Sequence, residues 1–102
     1  MGNTVNLKPN VYLLANFKSE SDNSIMCQQI AFYEMQEDGT FENGTTLEEM
    51  LRVSIERLQD LNGRFPCREN LIAITKMQES LFWLNERTKD RIARGVEGQH
   101  LA

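Results

Sequence analysis

The stretch Leu71-Ile72-Ala73-Ile74-Thr75-Lys76-Met77-Gln78-Glu79-Ser80-Leu81-Phe82-Trp83-Leu84-Asn85-Glu86-Arg87-Thr88-Lys89-Asp90-Arg91-Ile92-Ala93-Arg94-Gly95 decides how the chain is read. Leu71, Ile74, Met77, Leu81 and Leu84 recur at three- and four-residue spacing, the signature of an apolar helical stripe. On the neighbouring face Arg87, Arg91 and Arg94 follow at spacings of four and three, which puts three guanidinium groups on one side of the same helix. The reading is a helix that packs along a seam and offers anion-binding groups at its edge.

Working back, Arg64-Phe65-Pro66 turns the chain, with Pro66 placed for the first turn of this helix, where its missing N–H is tolerated. The helix is expected from Pro66 or Cys67 to Arg94, with Gly95 as its stop and Gly95-Val96-Glu97-Gly98 as a turn. Ahead of the turn, Leu47, Met50, Leu51, Ile55, Leu58 and Leu61 form a second apolar stripe. It opens on Thr45-Thr46-Leu47-Glu48-Glu49, a capping-box pattern with acidic residues at the positive end of the dipole. Asn62-Gly63 is expected to close it in a left-handed cap. The two helices form an antiparallel hairpin whose second member, at roughly 40 Å, outreaches the first.

Further back the pattern changes to strands. Residues 1–9 read as a loose arm or an edge segment, and Val11–Phe17 as a strand. After the polar loop Lys18–Ser24, Ile25–Met35 reads as one strand paired antiparallel with the first. Glu37-Asp38-Gly39 and Glu42-Asn43-Gly44 are turn signals that bracket a very short strand at Thr40-Phe41. The fold class is therefore α+β: a small N-terminal antiparallel β-sheet (10–44) and a long helical hairpin (45–95), as a single domain over 1–102. So few strands and one hairpin cannot enclose a core on every side, so oligomerisation, most simply as a two-fold dimer, is expected.

Composition narrows the function. The chain has 102 residues, 40% of them hydrophobic and 25% charged, with a formal net charge of −4. That balance argues against bulk binding of DNA or RNA, and no apolar run is long enough to span a bilayer. The N-terminus lacks the features of a signal peptide, so a cytoplasmic protein is expected. Cys27 and Cys67, without paired spacing and with His100 the one histidine, fit no zinc pattern and no disulfide framework. They read as small, partly buried apolar residues. No cofactor and no metal are expected.

Arg87, Arg91 and Arg94 admit two readings. As cations at a helix C-terminus they offset the carbonyl dipole and pair with Glu86 and Asp90. As a phosphate clamp they present guanidinium forks matched to phosphate oxygens. Arg68 and Asn70 lie beside the exposed N–H groups that open the second helix, and Asn70 carries both a donor and an acceptor for a base edge. If two hairpins pair antiparallel, Asn70 of one approaches Arg87 and Arg91 of the other. Phe65, Phe32, Tyr33, Phe82 and Trp83 are candidates for stacking on a purine, with Phe82 and Trp83 read first as core. Glu48, Glu49 and Glu56 read as solvated helix surface. His100 stands in the tail and no nucleophile–base grouping is placed by the elements, so catalysis is not expected.

Phe65–Asn70, Ile74–Leu84 and Arg87–Gly98, in that order and spacing, resemble the phage hairpin-domain family of anti-Thoeris and anti-CBASS proteins, closest to the anti-Thoeris branch with N-terminal strands. The resemblance implies a non-enzymatic sponge that sequesters cyclic nucleotide immune signals in the cytoplasm of the infected bacterial host. Glycocyclic ADP-ribose is the implied ligand, with cyclic di- and trinucleotides as further candidates. It also implies that Asn70, Arg87 and Arg91 contact ligand, with Arg68 and Phe65 in the matching loop. Two positions depart from the family pattern: Asp60-Leu61 replaces an aromatic near the end of the first helix, and Glu42-Asn43-Gly44 replaces a Gly-Val-Asn-Gly-like turn. The competing expectation is a helical-hairpin protein–protein adaptor with no small-molecule ligand.

Overall fold

A computed structural model describes residues 5–18 and 27–95. The chain divides into two compact units, one ending at Thr45 and the other beginning at Thr46. The α+β class, strands followed by a helical hairpin, is what the sequence calls for. The expectations placed on residues 1–4, 19–26 and 96–102, His100 among them, lie outside the described residues.

The first unit is built on a three-stranded antiparallel sheet in the order β1 (Val5–Lys8), β2 (Val11–Ala15), β3 (Cys27–Ala31). The edge segment expected before Pro9 is the edge strand β1, and its register slips between Asn6 and Lys8. β2 and β3 pair from Val11 opposite Ala31 to Ala15 opposite Cys27. β2 stops short of Phe17, which is 99% exposed.

The single strand expected over Ile25–Met35 is two strands with different partners. Beyond Ala31 the chain leaves β2. Phe32 N–H donates to the Asn10 carbonyl at 2.7 Å, and Tyr33 N–H to the Thr45 carbonyl at 2.9 Å. Glu34–Met35 (β4) then pairs with Phe41–Glu42 (β5) across a turn where Gly39 adopts φ +91°. Asp38 secures that turn by accepting from the Thr40 hydroxyl at 2.6 Å and the Thr40 amide at 3.0 Å. Both bonds, the hydroxyl's first, lower the pKa of its carboxyl.

Asn10 is the knot of this unit. Only 5% exposed, its amide donates to the Phe32 carbonyl at 3.0 Å and to Glu42 Oε1 at 3.1 Å. Glu42 Oε2 takes Lys8 Nζ at 3.0 Å. Tyr12 meets Phe32 edge-on at 5.8 Å, and Tyr33 lies tilted over Phe41 at 5.4 Å. Close approach also dictates Gly44: a Cβ there would fall 2.5 Å from the Ala31 carbonyl oxygen.

The second unit is the hairpin of α1 (Leu47–Arg64, 18 residues) and α2 (Arg68–Arg94, 27 residues). Thr46, extended at φ −127°, caps α1 by accepting the Glu49 N–H on its hydroxyl at 3.1 Å. Glu49 turns its carboxylate to Arg52 at 2.7 Å, and Arg52 also reaches Glu56. α1 does not end at Asn62-Gly63. Positive φ falls only on Gly39 and Gly95 among the described residues, and the helix runs to Arg64. Asn62 acts through its side chain instead, accepting the Cys67 N–H at 3.1 Å where α2 begins. Pro66 therefore precedes the cap residue Cys67 and is outside the first turn. α2 ends as expected on Gly95 at φ +75°, whose N–H reaches the Arg91 and Ile92 carbonyls.

The hairpin seam is thin. Ile55 and Ile74 are its buried residues, with Leu51, Leu58, Met77, Leu81 and Leu84 half-buried around them. Leu71, Ile72, Phe82 and Trp83 are exposed on the rest of α2. No helix among the described residues is long and apolar enough to cross a membrane.

Candidate functional site

The residues singled out by the sequence fall into two groups at opposite ends of α2. Phe65, Arg68 and Asn70 cluster where the helices join. Asn70 is half-buried and donates from its amide to the Phe65 carbonyl at 3.4 Å, which orients it along the loop. Phe65 is exposed, with the Arg64 guanidinium 5.8 Å from its ring centre, so one face is already engaged by a cation. Arg68, in the first turn of α2, is exposed.

The other group sits beside the start of α1. The helical spacing that aligns Arg87, Arg91 and Arg94 is realised, and the three differ in their partners. Arg94 is drawn along its own helix to Asp90 at 2.9 Å, and Lys89 to Glu86 at 3.1 Å. For Arg94 the local-pairing reading is thus the observed one. Arg87 instead crosses the hairpin, its Nη2 3.5 Å from Glu48 Oε2. Thr88 joins it by donating its hydroxyl to the same carboxylate at 3.3 Å. Among the described residues Arg68 and Arg91 have no carboxylate partner, whereas Arg52, Arg57, Arg64, Arg87 and Arg94 all do.

Glu48 departs from the sequence reading. Expected as solvated surface, its side chain is 24% exposed and engaged by α2; Glu49 and Glu56 hold to that reading. No spacing rule could have marked Glu48, because its partners lie some forty residues on. Phe82 and Trp83, read first as core, stack edge-on at 5.2 Å with Trp83 69% exposed. They border a shallow depression with Thr75, Lys76, Gln78, Glu79 and Ser80. A second, more apolar one is lined by Val53, Ser54, Arg57, Leu58, Leu61 and Met77. Neither includes any of Phe65, Arg68, Asn70, Arg87 or Arg91.

Within one chain the two groups cannot act on one small molecule. From Asn70 to Arg87 along α2 is about 26 Å at the helical rise per residue. Chemically, the loop end offers a donor–acceptor amide and an aromatic face, and the far end offers guanidinium groups suited to phosphate. No group of His, Cys, Asp and Glu among the described residues could hold a metal ion.

Residues 29–89 match the family model described as the Acb2/Tad1 hairpin domain. Over 59 residues the chain is 52% identical to "Thoeris anti-defense 1" of Bacillus phage SBSphiJ7, an alignment that covers 57% of this chain and 42% of that protein. The chain thus spans less than half the length of that relative. The family span takes in Phe65, Arg68, Asn70 and Arg87, and stops just short of Arg91. With more than half of its residues inside that span, the chain belongs to the Acb2/Tad1 hairpin-domain family.

Proposed function

We propose that this protein is a phage-encoded sponge that binds a cyclic nucleotide immune signal and withholds it from Thoeris or CBASS defence without cleaving it. The ligand is glycocyclic ADP-ribose, with cyclic di- and trinucleotides as further members of the class. The site forms between two copies of the chain, with Arg87 and Arg91 of one on phosphate. Asn70 and Arg68 of the other address base or ribose, and its Phe65 stacks on the purine. The trap acts in the cytoplasm of the infected bacterial host, as a dimer or a trimer of dimers, without DNA or a membrane.

One observation carries the reading. A donor–acceptor amide beside an aromatic ring and a pair of guanidinium groups stand towards the two ends of one helix, and an antiparallel copy would bring them together. The exposed face of Leu71, Ile72, Phe82 and Trp83 supports such pairing, since it leaves the lone hairpin with unburied apolar surface. Family membership and the named anti-defence relative support the biological role. A nanomolar trap needs about −12 kcal/mol of binding free energy, within reach of several charge-assisted hydrogen bonds in a desolvated recess.

The same exposed face favours a second reading, a hairpin adaptor for another protein. Calorimetry with glycocyclic ADP-ribose and with cyclic di- and trinucleotides separates the two. The sponge gives saturable heat with at least one, an oligomer in sedimentation, and ligand recovered intact after heating the complex. No heat with any and a monomer in sedimentation would favour the adaptor instead, and converted ligand would point to hydrolysis.

A further inference from the structure

We propose that Glu48 is an internal counter-anion to the phosphate-binding arginine and so sets the selectivity of the site. The proposal rests on the reading of Arg87 as a phosphate ligand and adds a residue which that reading leaves out.

Local pairing leaves Arg87 no acid on its own helix: Asp90 is taken by Arg94 and Glu86 by Lys89. The carboxylate it meets comes from the first turn of α1. Glu48 Oε2 lies 3.5 Å from Arg87 Nη2 and 3.3 Å from the Thr88 hydroxyl. Both contacts are at the long end of their range, so the pair is held loosely. A carboxylate offers a guanidinium the same charge sign and the same pair of acceptor oxygens as two phosphate oxygens. Through Oε2, Glu48 therefore takes the place beside Arg87 Nη2 that one phosphate oxygen would take. Arg87 keeps a 43% exposed side chain, so an incoming anion reaches the guanidinium from solvent while Glu48 holds its other flank.

Discrimination follows. A simple phosphate must compete with, or sit beside, a charge already in place, and it gains one contact in return. A cyclic nucleotide gains further contacts at Arg91 and at base and ribose, and so overcomes the opposition. The opposition scales with the ligand's own charge, so it falls hardest on small phosphates such as pyrophosphate, which carry more negative charge than the esterified phosphates of a cyclic nucleotide. Abundant small phosphates are thereby kept off a site whose purpose is to stay available.

The test compares glycocyclic ADP-ribose with inorganic pyrophosphate, by calorimetry at low salt, in wild type, Glu48→Gln, Glu49→Gln and Arg87→Ala. Gln at 48 keeps an acceptor for Thr88 and removes the charge. Glu49→Gln removes an equivalent charge from the same helix start, which controls for a purely structural effect. Pyrophosphate affinity should rise about fivefold in Glu48→Gln, as expected for deleting one like charge several ångströms away through a partly screened medium. The gain for glycocyclic ADP-ribose should be smaller, and neither affinity should move in Glu49→Gln. An unchanged or reduced pyrophosphate affinity in Glu48→Gln, alongside weakened binding in Arg87→Ala, overturns the counter-anion while the clamp survives. Undiminished binding in Arg87→Ala removes the clamp and the counter-anion together. If Glu48→Gln does not fold, Glu48→Asp retains the helix-start charge and withdraws it from Arg87, and the same rise in pyrophosphate affinity is required of it.

Discussion

Asn10 and Glu42, thirty-two positions apart in sequence, are joined by a 3.1 Å hydrogen bond that ties the β1–β2 turn to β5. Lys8 and Asn10, in that order, hold the Glu42 carboxyl below its ordinary pKa through their hydrogen bonds. A carboxyl depressed on folding contributes stability above its unfolded value of 4.5 and loses that contribution as pH falls through its folded value. The first unit should therefore weaken as pH falls below about 4.5, and Lys8→Met should flatten that dependence. Proton exchange at the Phe32 amide, followed by NMR against pH, reads this out.

Gly44→Ala should loosen the same unit without acid. The new methyl would meet the backbone of Ala31 and Phe32, which cannot rotate away as a side chain can. We expect a loss of about 1–3 kcal/mol, in the range of overpacking at a constrained site. Exchange protection should fall at the Thr45 amide, which donates to Ala31. Protection retained at wild-type level would disprove the constraint.

Thr46→Ala removes the hydroxyl that accepts the Glu49 N–H. The hairpin should lose about 1 kcal/mol in a urea melt, and Thr46→Ser should recover most of it. An equal loss in both variants would show that the cap contributes little.

Arg87→Ala and Arg91→Ala should each weaken nucleotide binding by about 1.5–3 kcal/mol and leave the assembly intact, the size expected for a charged hydrogen bond. Arg94→Ala is the internal contrast. With its guanidinium held by Asp90, its loss should change affinity by less than about 0.5 kcal/mol. Calorimetry on the three variants checks the order, and equal losses at all three would undo the distinction.

Trp83→Glu probes the exposed face of α2. The ring is 69% exposed, so the hairpin itself should keep its stability within about 0.5 kcal/mol. Sedimentation should nonetheless shift toward the monomer, because a charge would be buried in the proposed contact between copies. An unchanged sedimentation coefficient would place that contact elsewhere.

The helices were legible because their determinants are local. A threonine cap, two stripes at helical spacing and a terminal glycine sit within a few residues of what they govern. Thr46 and Gly95 act as read. Gly63 does not, since Asn62 is engaged by the amide of Cys67, a contact made only after the chain has turned. The break between β3 and β4 escaped for the same reason. The run Ile30–Met35 is rich in strand-forming residues, and its change of partner is imposed by Asn10 and Thr45 from elsewhere in the chain. At the site, spacing aligned the three arginines but could not tell them apart. Their partners do: Asp90 for Arg94, Glu48 for Arg87, and for Arg91 no carboxylate among the described residues.

Under the proposed pairing of copies, the separation of Asn70 from Arg87 along one helix has a consequence for dosage. A receptor whose complementary parts sit on different molecules gains competence with the square of its abundance while the population is dilute, and only linearly once association is complete. Early in expression such a trap would be nearly silent, and it would become effective over a narrow rise in synthesis. Its potency in an infected cell would then track the timing of production as closely as the strength of any single contact.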